Sequence, residues 1–423
     1  MRKNSYQETI SKIKATDSFK ANTIMKMQNE LKKDKQEDVP QKHKYRYKSI
    51  GVVAACCAVV LSIGILADRQ LNPVNENKIP DPIASNNEQV NLPKLTISNE
   101  SGGMGYEGYM AYKIEELEDG NPWTPDSKLT SMPVFENLSP HSDHTGTIPY
   151  LNGDEMIQKA KEAAGKMSLK INKVYTQPTK EEIEEDEKKT GEKVDTTPTH
   201  ATAECDGVKI EVDSRGDTRV RYEPTISIPG KYSFTQYDNT SSEAKDTSLY
   251  LIKKYSDIVD MKSPSLRLFG DYTYEGKRLF WYTAYESDGD LLNKILGYNF
   301  NTVSFVPDEN GKLWIIDRRK TDLSKVIGNY PIITADEARK LLIEKHYITT
   351  MPEAFPDEKY IAKVELVYRN SMYDKVFMPY YKFLVEMPTM QQKNSLKTFG
   401  TFYVPAVKGE YLTNMPAWNG EFN

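Results

Sequence analysis

The chain has 423 residues, which suggests two or three domains at about 150 residues each. Hydrophobic residues make up 38% and charged residues 28%, which excludes a protein with many membrane spans, and 10% aromatic residues exclude a wholly disordered chain. The net charge of −5 combines two opposite regions: residues 1–48 hold 13 Lys and Arg against 6 Asp and Glu, net +7, and everything after residue 67 carries −12.

The first 48 residues form a basic tail with two amphipathic stretches. Residues 4–15 place apolar side chains at positions 6, 10 and 13, and residues 18–33 place them at positions 24, 27 and 31. Such spacing puts side chains on one helical face, so we expect two short helices. Because short helices are marginal in water, these faces need a surface. The sequence does not decide between two such surfaces: anionic lipid, attracted by the +7 charge, or a cytoplasmic protein partner.

Residues 49–67 are an uncharged apolar run of the length that crosses a bilayer core of about 30 Å. The basic flank, with Tyr45 and Tyr47 at headgroup level, favours a cytoplasmic N-terminus. We therefore predict a cell-membrane protein that crosses once, with its N-terminus cytoplasmic and its C-terminus extracellular. A cleaved signal peptide is disfavoured by the long flank and the bulky end Ile65-Leu66-Ala67, and a buried core helix by apolarity on every side.

The segment YQETISKIKATDSFKANTIMKM, residues 6–27, followed by the basic tether and the apolar run, resembles Gram-positive single-pass anti-sigma-factor-like membrane proteins. In that family the cytoplasmic helices hold a sigma factor and the outer domain senses the envelope. The resemblance covers about 65 residues, and it implies a regulatory protein whose residues 1–48 bind a sigma factor. The His-x-x-x-Cys-x-x-Cys zinc signature of one major anti-sigma class is absent from this sequence.

The outer part is organised as a linker, a strand-rich segment and three recurring units. Residues 68–92 are Asn- and Pro-rich, and residues 93–150 contain short strand patterns between turn signals. A helix followed by several strands then recurs in residues 151–232, 233–330 and 331–423, with helices predicted at 154–167, 242–255 and 335–347. The predicted fold class is α+β: a short helical cytoplasmic tail, one transmembrane helix and an extracytoplasmic array of helix-plus-antiparallel-sheet modules.

Local signals sharpen parts of these units. Thr240 with Glu243, and Thr334 with Glu337, have the spacing of capping boxes that begin helices. A two-residue turn at positions 206–207 predicts a hairpin in which Cys205 faces position 208, position 203 faces 210 and position 201 faces 212. Cys205 is then a buried small hydrophobe, and no disulfide forms outside the membrane. The charged residues 180–193 read as a solvated insertion.

The third unit, from ITADEARKLL at 333–342 to FYVPAVKGEYL at 402–412, resembles PepSY-like modules. Those modules pack one helix on a small antiparallel sheet, and they are linked to binding or restraining other envelope proteins. The resemblance implies an extracytoplasmic protein or peptide ligand for this chain. It implies no catalytic residue.

A search for chemistry finds no nucleophile elbow, P-loop, Rossmann fingerprint or zinc-protease motif. We therefore predict no enzyme activity, no catalytic residues, no cofactor and no metal site. The one His cluster, HSDH at 141–144, lacks a third spaced ligand and reads as a polar loop. A nucleic-acid partner is disfavoured because the outer part carries −12.

Three further motifs have structural explanations. Arg215-Gly216-Asp217 matches an integrin-binding tripeptide, but it stands where a tight hairpin needs Gly and Asp. The aromatic run Phe280-Trp281-Tyr282 could line a glycan or peptide groove, but strand alternation favours core on one face and a cross-strand ladder on the other. Glycosylation sequons begin at positions 99, 137 and 239, and they matter only in a source that glycosylates them.

The preferred hypothesis is a single-pass envelope protein that couples an extracytoplasmic sensing or binding domain to a cytoplasmic partner. The alternative is a structural or inhibitory envelope protein whose ectodomain binds another protein or a cell-wall component and whose tail is only an anchor. A third hypothesis, an unrecognised hydrolase, needs polar residues that converge only in three dimensions.

Overall fold

A computed structural model describes residues 91–97, 107–117, 119–142, 146–191, 193–237, 239–392, 394–418 and 420. The predicted cytoplasmic tail, the apolar run of residues 49–67 and the linker up to residue 90 lie outside the described residues. Among the helices of the described part, none is both long enough and apolar enough to cross a membrane.

The described residues contain eighteen strands and six α-helices, together with short 3₁₀ helices. The strands are β1 (Gly108–Ala111), β2 (Ser131–Glu136), β3 (His141–Ser142), β4 (Gly146–Thr147), β5 (Ile171–Gln177), β6 (His200–Cys205), β7 (Val208–Asp213), β8 (Thr218–Ile226), β9 (Pro264–Tyr272), β10 (Arg278–Glu286), β11 (Asn301–Pro307), β12 (Leu313–Lys320), β13 (Val326–Pro331), β14 (Ile348–Thr349), β15 (Ile361–Tyr368), β16 (Val376–Phe377), β17 (Pro379–Glu386) and β18 (Lys397–Pro405). The helices are α1 (Gly153–Lys166), α2 (Lys180–Thr190), α3 (Ser241–Lys254), α4 (Ser256–Val259), α5 (Leu291–Phe300) and α6 (Ala335–Ile343).

Eight strands form one antiparallel sheet in the order β5-β6-β7-β8-β12-β11-β10-β9. The middle strands alternate buried and partly exposed side chains, and α1, α3 and α4 cover the buried face. Met156 and Ala160 of α1 and Leu251 of α3 meet Ile210 and Tyr282 of the sheet in this core. Helical spacing of apolar residues against strand alternation therefore builds a helix-on-sheet layer.

A second sheet has five strands, with β1 and β14 both beside β18, followed by β17 and β15. Its apolar face packs with α6, where Leu342 joins Phe383 and Phe402. Tyr347, just after α6, meets Phe402 edge-on with ring centres 5.0 Å apart. Two smaller sheets in the described part are β13-β2-β16 and the hairpin β3-β4.

The predicted fold class is wrong for the described residues. We expected an array of separate helix-plus-sheet modules, but this part is mostly antiparallel sheet whose strands pair across the predicted module boundaries. Strands from residues 151–232 and 233–330 join one sheet where β8 pairs with β12, with Val220 opposite Ile316. Strands β1 and β2 pair with β18, β13 and β16. Open strand edges pair with strands that are distant in sequence, and local periodicity does not show which strands will pair.

Several local predictions are confirmed. The hairpin has the expected register, with Cys205 opposite Val208. Capping boxes begin α3 at Thr240 and α6 at Thr334. Three helices were not predicted: the charged insertion is the exposed helix α2, the single turn α4 follows α3, and α5 occupies residues where part of a strand was expected. A short apolar run such as that of α5 cannot be distinguished from a strand by periodicity.

Candidate functional site

The second face of the five-stranded sheet carries buried charges. Glu365 on β15 stands opposite Lys382 on β17, and Lys382 stands opposite Tyr403 on β18. Because side chains alternate along a strand, the neighbouring Phe383 joins the apolar core on the other face. Only 1% of Glu365 and 6% of Lys382 is exposed, so this row lies inside the protein.

Four ion pairs join Asp119, Lys363, Glu365 and Lys382, and together with the neighbouring Arg267 these residues form what we call the charge cluster. Lys363 Nζ lies 2.6 Å from Glu365 Oε1 and 3.5 Å from Asp119 Oδ1. Lys382 Nζ lies 3.3 Å from Glu365 Oε2 and 3.9 Å from Asp119 Oδ2. Each buried carboxylate thus has two ammonium partners, as burial of charge requires.

The eight-stranded sheet and α5 supply the rest of the cluster's surroundings. The Tyr298 hydroxyl donates to Asp119 Oδ2 at 2.6 Å. The Arg267 guanidinium lies 4.2 Å from the centre of the Tyr298 ring and donates to Tyr298 O at 3.2 Å. Cation–π contacts of this kind are stronger when they are desolvated. The cluster therefore lies between elements of the two sheets.

The protonation of the cluster follows from burial and neighbouring charge. Burial alone would raise the pKa of the Asp119 carboxyl, but Lys382 and Lys363 outweigh it and hold the pKa well below its usual range. Burial alone would lower the pKa of the Lys382 ammonium, but Glu365 above all raises it well above its ordinary value. Asp119 and Lys382 are thus held charged, which suits a fixed electrostatic framework.

A cleft of about 430 Å³ adjoins the cluster along the outer edge of β15. This edge cleft is lined by residues 121, 123–125, 339 and 361–365. In the described part β15 is the last strand of its sheet, so its outer edge has no neighbouring strand. Lys363 and Glu365 belong to both the charge cluster and the edge cleft.

The main chain of β15 points alternately into the sheet and out of it. Pro379 O accepts from Ala406 N, so the main-chain groups of Pro379 and of every second residue after it point toward β18. The residues between them, which include Lys382, point their main-chain groups toward β15. The main-chain N–H and C=O of Glu365, which pairs with Lys382, therefore point toward β17. Val364 consequently directs its N–H and C=O outward, into the edge cleft.

Two side-chain hydrogen bonds agree with this alternation. Asn121 Nδ2 donates to Leu366 O at 3.5 Å, and Asn299 Oδ1 accepts from Tyr368 N at 3.1 Å. Both bonds fall on positions that differ by an even number from Val364. The C-terminal half of the outer edge thus has side-chain partners, whereas Val364 faces the open part of the cleft.

The solvent-facing charge of the edge cleft is positive. The side chains of Arg339 and Lys363 are 40% and 33% exposed, whereas the Glu365 side chain is 2% exposed. Arg339 NH1 has one acidic partner, Glu358, at 3.5 Å. Trp123 forms an aromatic wall and meets Tyr381 edge-on, with ring centres 5.7 Å apart. A groove with an aromatic wall and a few charged side chains is suited to binding a ligand.

A second cavity, of about 530 Å³, lies between residues 227–235, the first turns of α3 and the turn before β12. It contains charges of both signs, Lys231 and Lys312 with Glu243 and Asp246. Glu243 is already used in the capping box of α3. This cavity shows no preference for one class of ligand.

The predicted His cluster is described only in part, because residues 143–145 lie outside the described residues. His141 Nδ1 bonds Thr147 Oγ1 at 2.8 Å, and the ring meets Tyr373 edge-on at 4.9 Å. Among the residues with described positions, no three His, Cys, Asp or Glu side chains come together as metal ligands. His141 thus contributes to packing of the β3–β4 hairpin.

The Arg215-Gly216-Asp217 tripeptide is a turn, as expected. Asp213 Oδ1 accepts from the N–H groups of Arg215 and Asp217, each at 3.0 Å. Gly216 has a φ of +90°, which favours glycine. The Arg215 guanidinium lies 3.0 Å from Asp213 Oδ2, so its side chain is held against the turn.

Two of the three sequon asparagines lie inside the protein, and the first, at position 99, lies outside the described residues. Asn137 Nδ2 donates to Asp374 O at 2.7 Å, and Asn239 Nδ2 donates to Thr235 O at 3.1 Å. Both amides therefore act as internal hydrogen-bond donors.

The aromatic run and Cys205 are placed as the sequence predicted. Phe280 and Tyr282 are in the core, and Trp281 points to the other face with 42% exposed. Cys205 is a buried free thiol, and burial raises its pKa, which favours the unreactive form.

Sequence reasoning did not single out Glu365 and Lys382. The available signal was a charged residue in the middle of an otherwise apolar strand, as in KVELVY at 363–368 and YYKFLV at 380–385. Such a residue must find a partner in the folded protein. Which residue that is depends on the register of β15 and β17.

No protein family model matches this chain, and a comparison with curated proteins found no match. A functional proposal therefore has to come from the chain's own residues and geometry.

Proposed function

We propose that the protein is a regulatory envelope protein that crosses the cell membrane once, through residues 49–67. Its extracytoplasmic part binds a protein or peptide, and residues 1–48 pass that event to a cytoplasmic partner, which the anti-sigma-like resemblance makes a sigma factor. The observation that carries this proposal is the charge division: +7 before the uncharged run and −12 after it.

Two features support these separate roles for the tail and the extracytoplasmic part. The sequence of the tail predicts two amphipathic helices, whose apolar faces would need a partner surface. The described part has a preformed edge cleft with outward main-chain groups and exposed cations, which is a surface suited to a peptide ligand.

The test exchanges the tail. Residues 1–48 are replaced by a scrambled sequence of the same length and charge, and both full-length chains are crosslinked in cells and purified. We expect both chains in the membrane fraction, and a specific cytoplasmic protein with the native tail only, because scrambling destroys the apolar faces but keeps the charge. Identical sets of crosslinked proteins would contradict the regulatory role.

A second candidate is a structural or inhibitory envelope protein whose tail is only an anchor. The +7 charge favours it, since each basic residue near an anionic surface contributes about 1 kcal/mol of attraction. In that case the scrambled tail leaves both the membrane location and the cellular phenotype unchanged.

A further inference from the structure

The outer edge of β15 has main-chain groups that a neighbouring strand would complete. Val364 directs an N–H donor and a C=O acceptor into the edge cleft, and β15 ends the five-stranded sheet of the described part. The other sheets of this part pair strands that are distant in sequence, such as β1 with β18. A strand edge that remains open in a cleft is a template for an added strand.

We propose that the edge cleft binds an extended acidic peptide segment of an extracytoplasmic partner, which adds to the five-stranded sheet as a strand beside β15. The main chain of the peptide exchanges hydrogen bonds with Val364 N–H and C=O. This contact requires an extended backbone and not a particular side chain.

Charge complementarity gives the peptide its acidic character. The side chains of Arg339 and Lys363 are 40% and 33% exposed at the cleft, whereas the carboxylate of Glu365 is buried between two lysines. A carboxylate on the peptide therefore meets two partly exposed basic side chains, whereas the nearby anion is buried and neutralised. Trp123 supplies an aromatic wall against which an apolar side chain of the peptide can pack.

The inference deepens the proposed function, and it rests on that function only in placing the partner outside the cell. The experiment with the scrambled tail tests binding of the cytoplasmic partner, whereas the peptide-binding experiment tests the edge cleft in the described part. A chain with the scrambled tail should bind the peptide as the native chain does, so each proposal can fail by itself.

The test uses the detergent-solubilised full chain and fluorescence anisotropy with three short synthetic peptides. One alternates valine and glutamate, the second alternates valine and lysine, and the third is the glutamate peptide with its backbone amides N-methylated. We expect the glutamate peptide to bind at least tenfold more tightly than the other two. Methylation removes strand pairing but keeps the charge, and rising salt should weaken binding of the glutamate peptide.

Variants then locate the site. Val364→Pro removes the outward donor, and proline is tolerated where an edge strand directs its N–H away from the sheet. We expect binding about tenfold weaker. Arg339→Glu should weaken binding about fivefold, whereas Lys340→Glu, an exposed neighbour on α6 that does not line the cleft, should leave it within twofold.

Three results would overturn the proposal: no binding of the glutamate peptide, equal binding of its N-methylated form, or equal losses from Arg339→Glu and Lys340→Glu. If Val364→Pro unfolds the chain, the N-methylated peptide still tests the main-chain contact without any variant.

Discussion

Lys382 shows what a single residue contributes to this fold. It lies in an apolar strand with 6% exposed, between the carboxylates of Glu365 and Asp119. A buried ion pair adds little net stability over an apolar pair, but loss of one partner leaves an uncompensated buried charge. The energetic importance of Lys382 thus comes from the two carboxylates that would be left with less positive charge.

We expect Lys382→Met to lower the free energy of unfolding by about 3–5 kcal/mol. The measurement is urea unfolding followed by tryptophan fluorescence. Lys397→Met is the matched control, because its 2.7 Å pair with Glu386 joins β18 to β17 in the same sheet, but the two side chains are 39% and 28% exposed. Partly exposed pairs contribute about 0–1 kcal/mol. Equal losses from both variants would show that the charge cluster has no special role.

At the scale of elements, Asp271 connects the two large sheets. It lies on β9, the edge of the eight-stranded sheet, and its Oδ1 accepts from Met110 N of β1 at 2.6 Å and from Tyr272 N at 2.7 Å. Burial raises the pKa of the Asp271 carboxyl to about 6, against these two hydrogen bonds, which lower it. The junction between β1 and β9 therefore contains a group that titrates in the mildly acidic range.

This titration predicts the direction of a pH effect. The folded state keeps a proton on Asp271 that the unfolded state releases above its ordinary pKa of 3.8, so its contribution to stability falls as pH rises from about 4 to about 6. The shift corresponds to at most ~3 kcal/mol. Asp271→Asn should remove this part of the slope when unfolding is measured across that range.

Asp308→Asn is the control, because the pKa of Asp308 is shifted in the opposite direction to that of Asp271. Burial by itself would raise the pKa of Asp308, but hydrogen bonds led by Lys312 N outweigh it and lower the pKa. Native Asp308 therefore contributes stability above its unfolded pKa that is lost as pH falls. A slope unchanged by Asp271→Asn would show that this carboxyl is not the titrating group.

At the scale of the whole described part, the predicted third module depends on strands from far earlier in the chain. Strand β1 pairs with β18, and β2 joins β13 to β16. Trp123 packs on Tyr381, and Asp119 neutralises Lys382. Residues 331–423 alone would therefore expose an open β18 edge and a buried lysine with one carboxylate fewer.

We expect a fragment of residues 331–423 to remain unfolded or to aggregate, because it lacks these partners. Circular dichroism and the cooperativity of urea unfolding provide the measurement. A fragment of residues 91–423, which keeps β1, β2 and Asp119, is the matched control and should unfold cooperatively. A cooperative transition in the shorter fragment would show that the third unit is an independent module.

Features that depend on neighbours in sequence could be predicted. The capping boxes at Thr240 and Thr334 need a residue three positions away, and the hairpin register at Cys205 needs only a two-residue turn. The candidate site could not be predicted, since the edge cleft brings residues 121–125 next to residues 361–365. The energies that choose such distant pairings come from burial and edge closure, which leave no periodic signal.

The sequence by itself determined the charge division, from +7 before the apolar run to −12 after it, and most local elements of the described part. Only the tertiary structure decided that the predicted modules share sheets, that Glu365 and Lys382 meet in the interior, and that β15 has no outer neighbour among the described strands. Charge and helix caps are properties of short segments, whereas strand partners are chosen by the apolar surface and the hydrogen bonds that the whole chain can satisfy together.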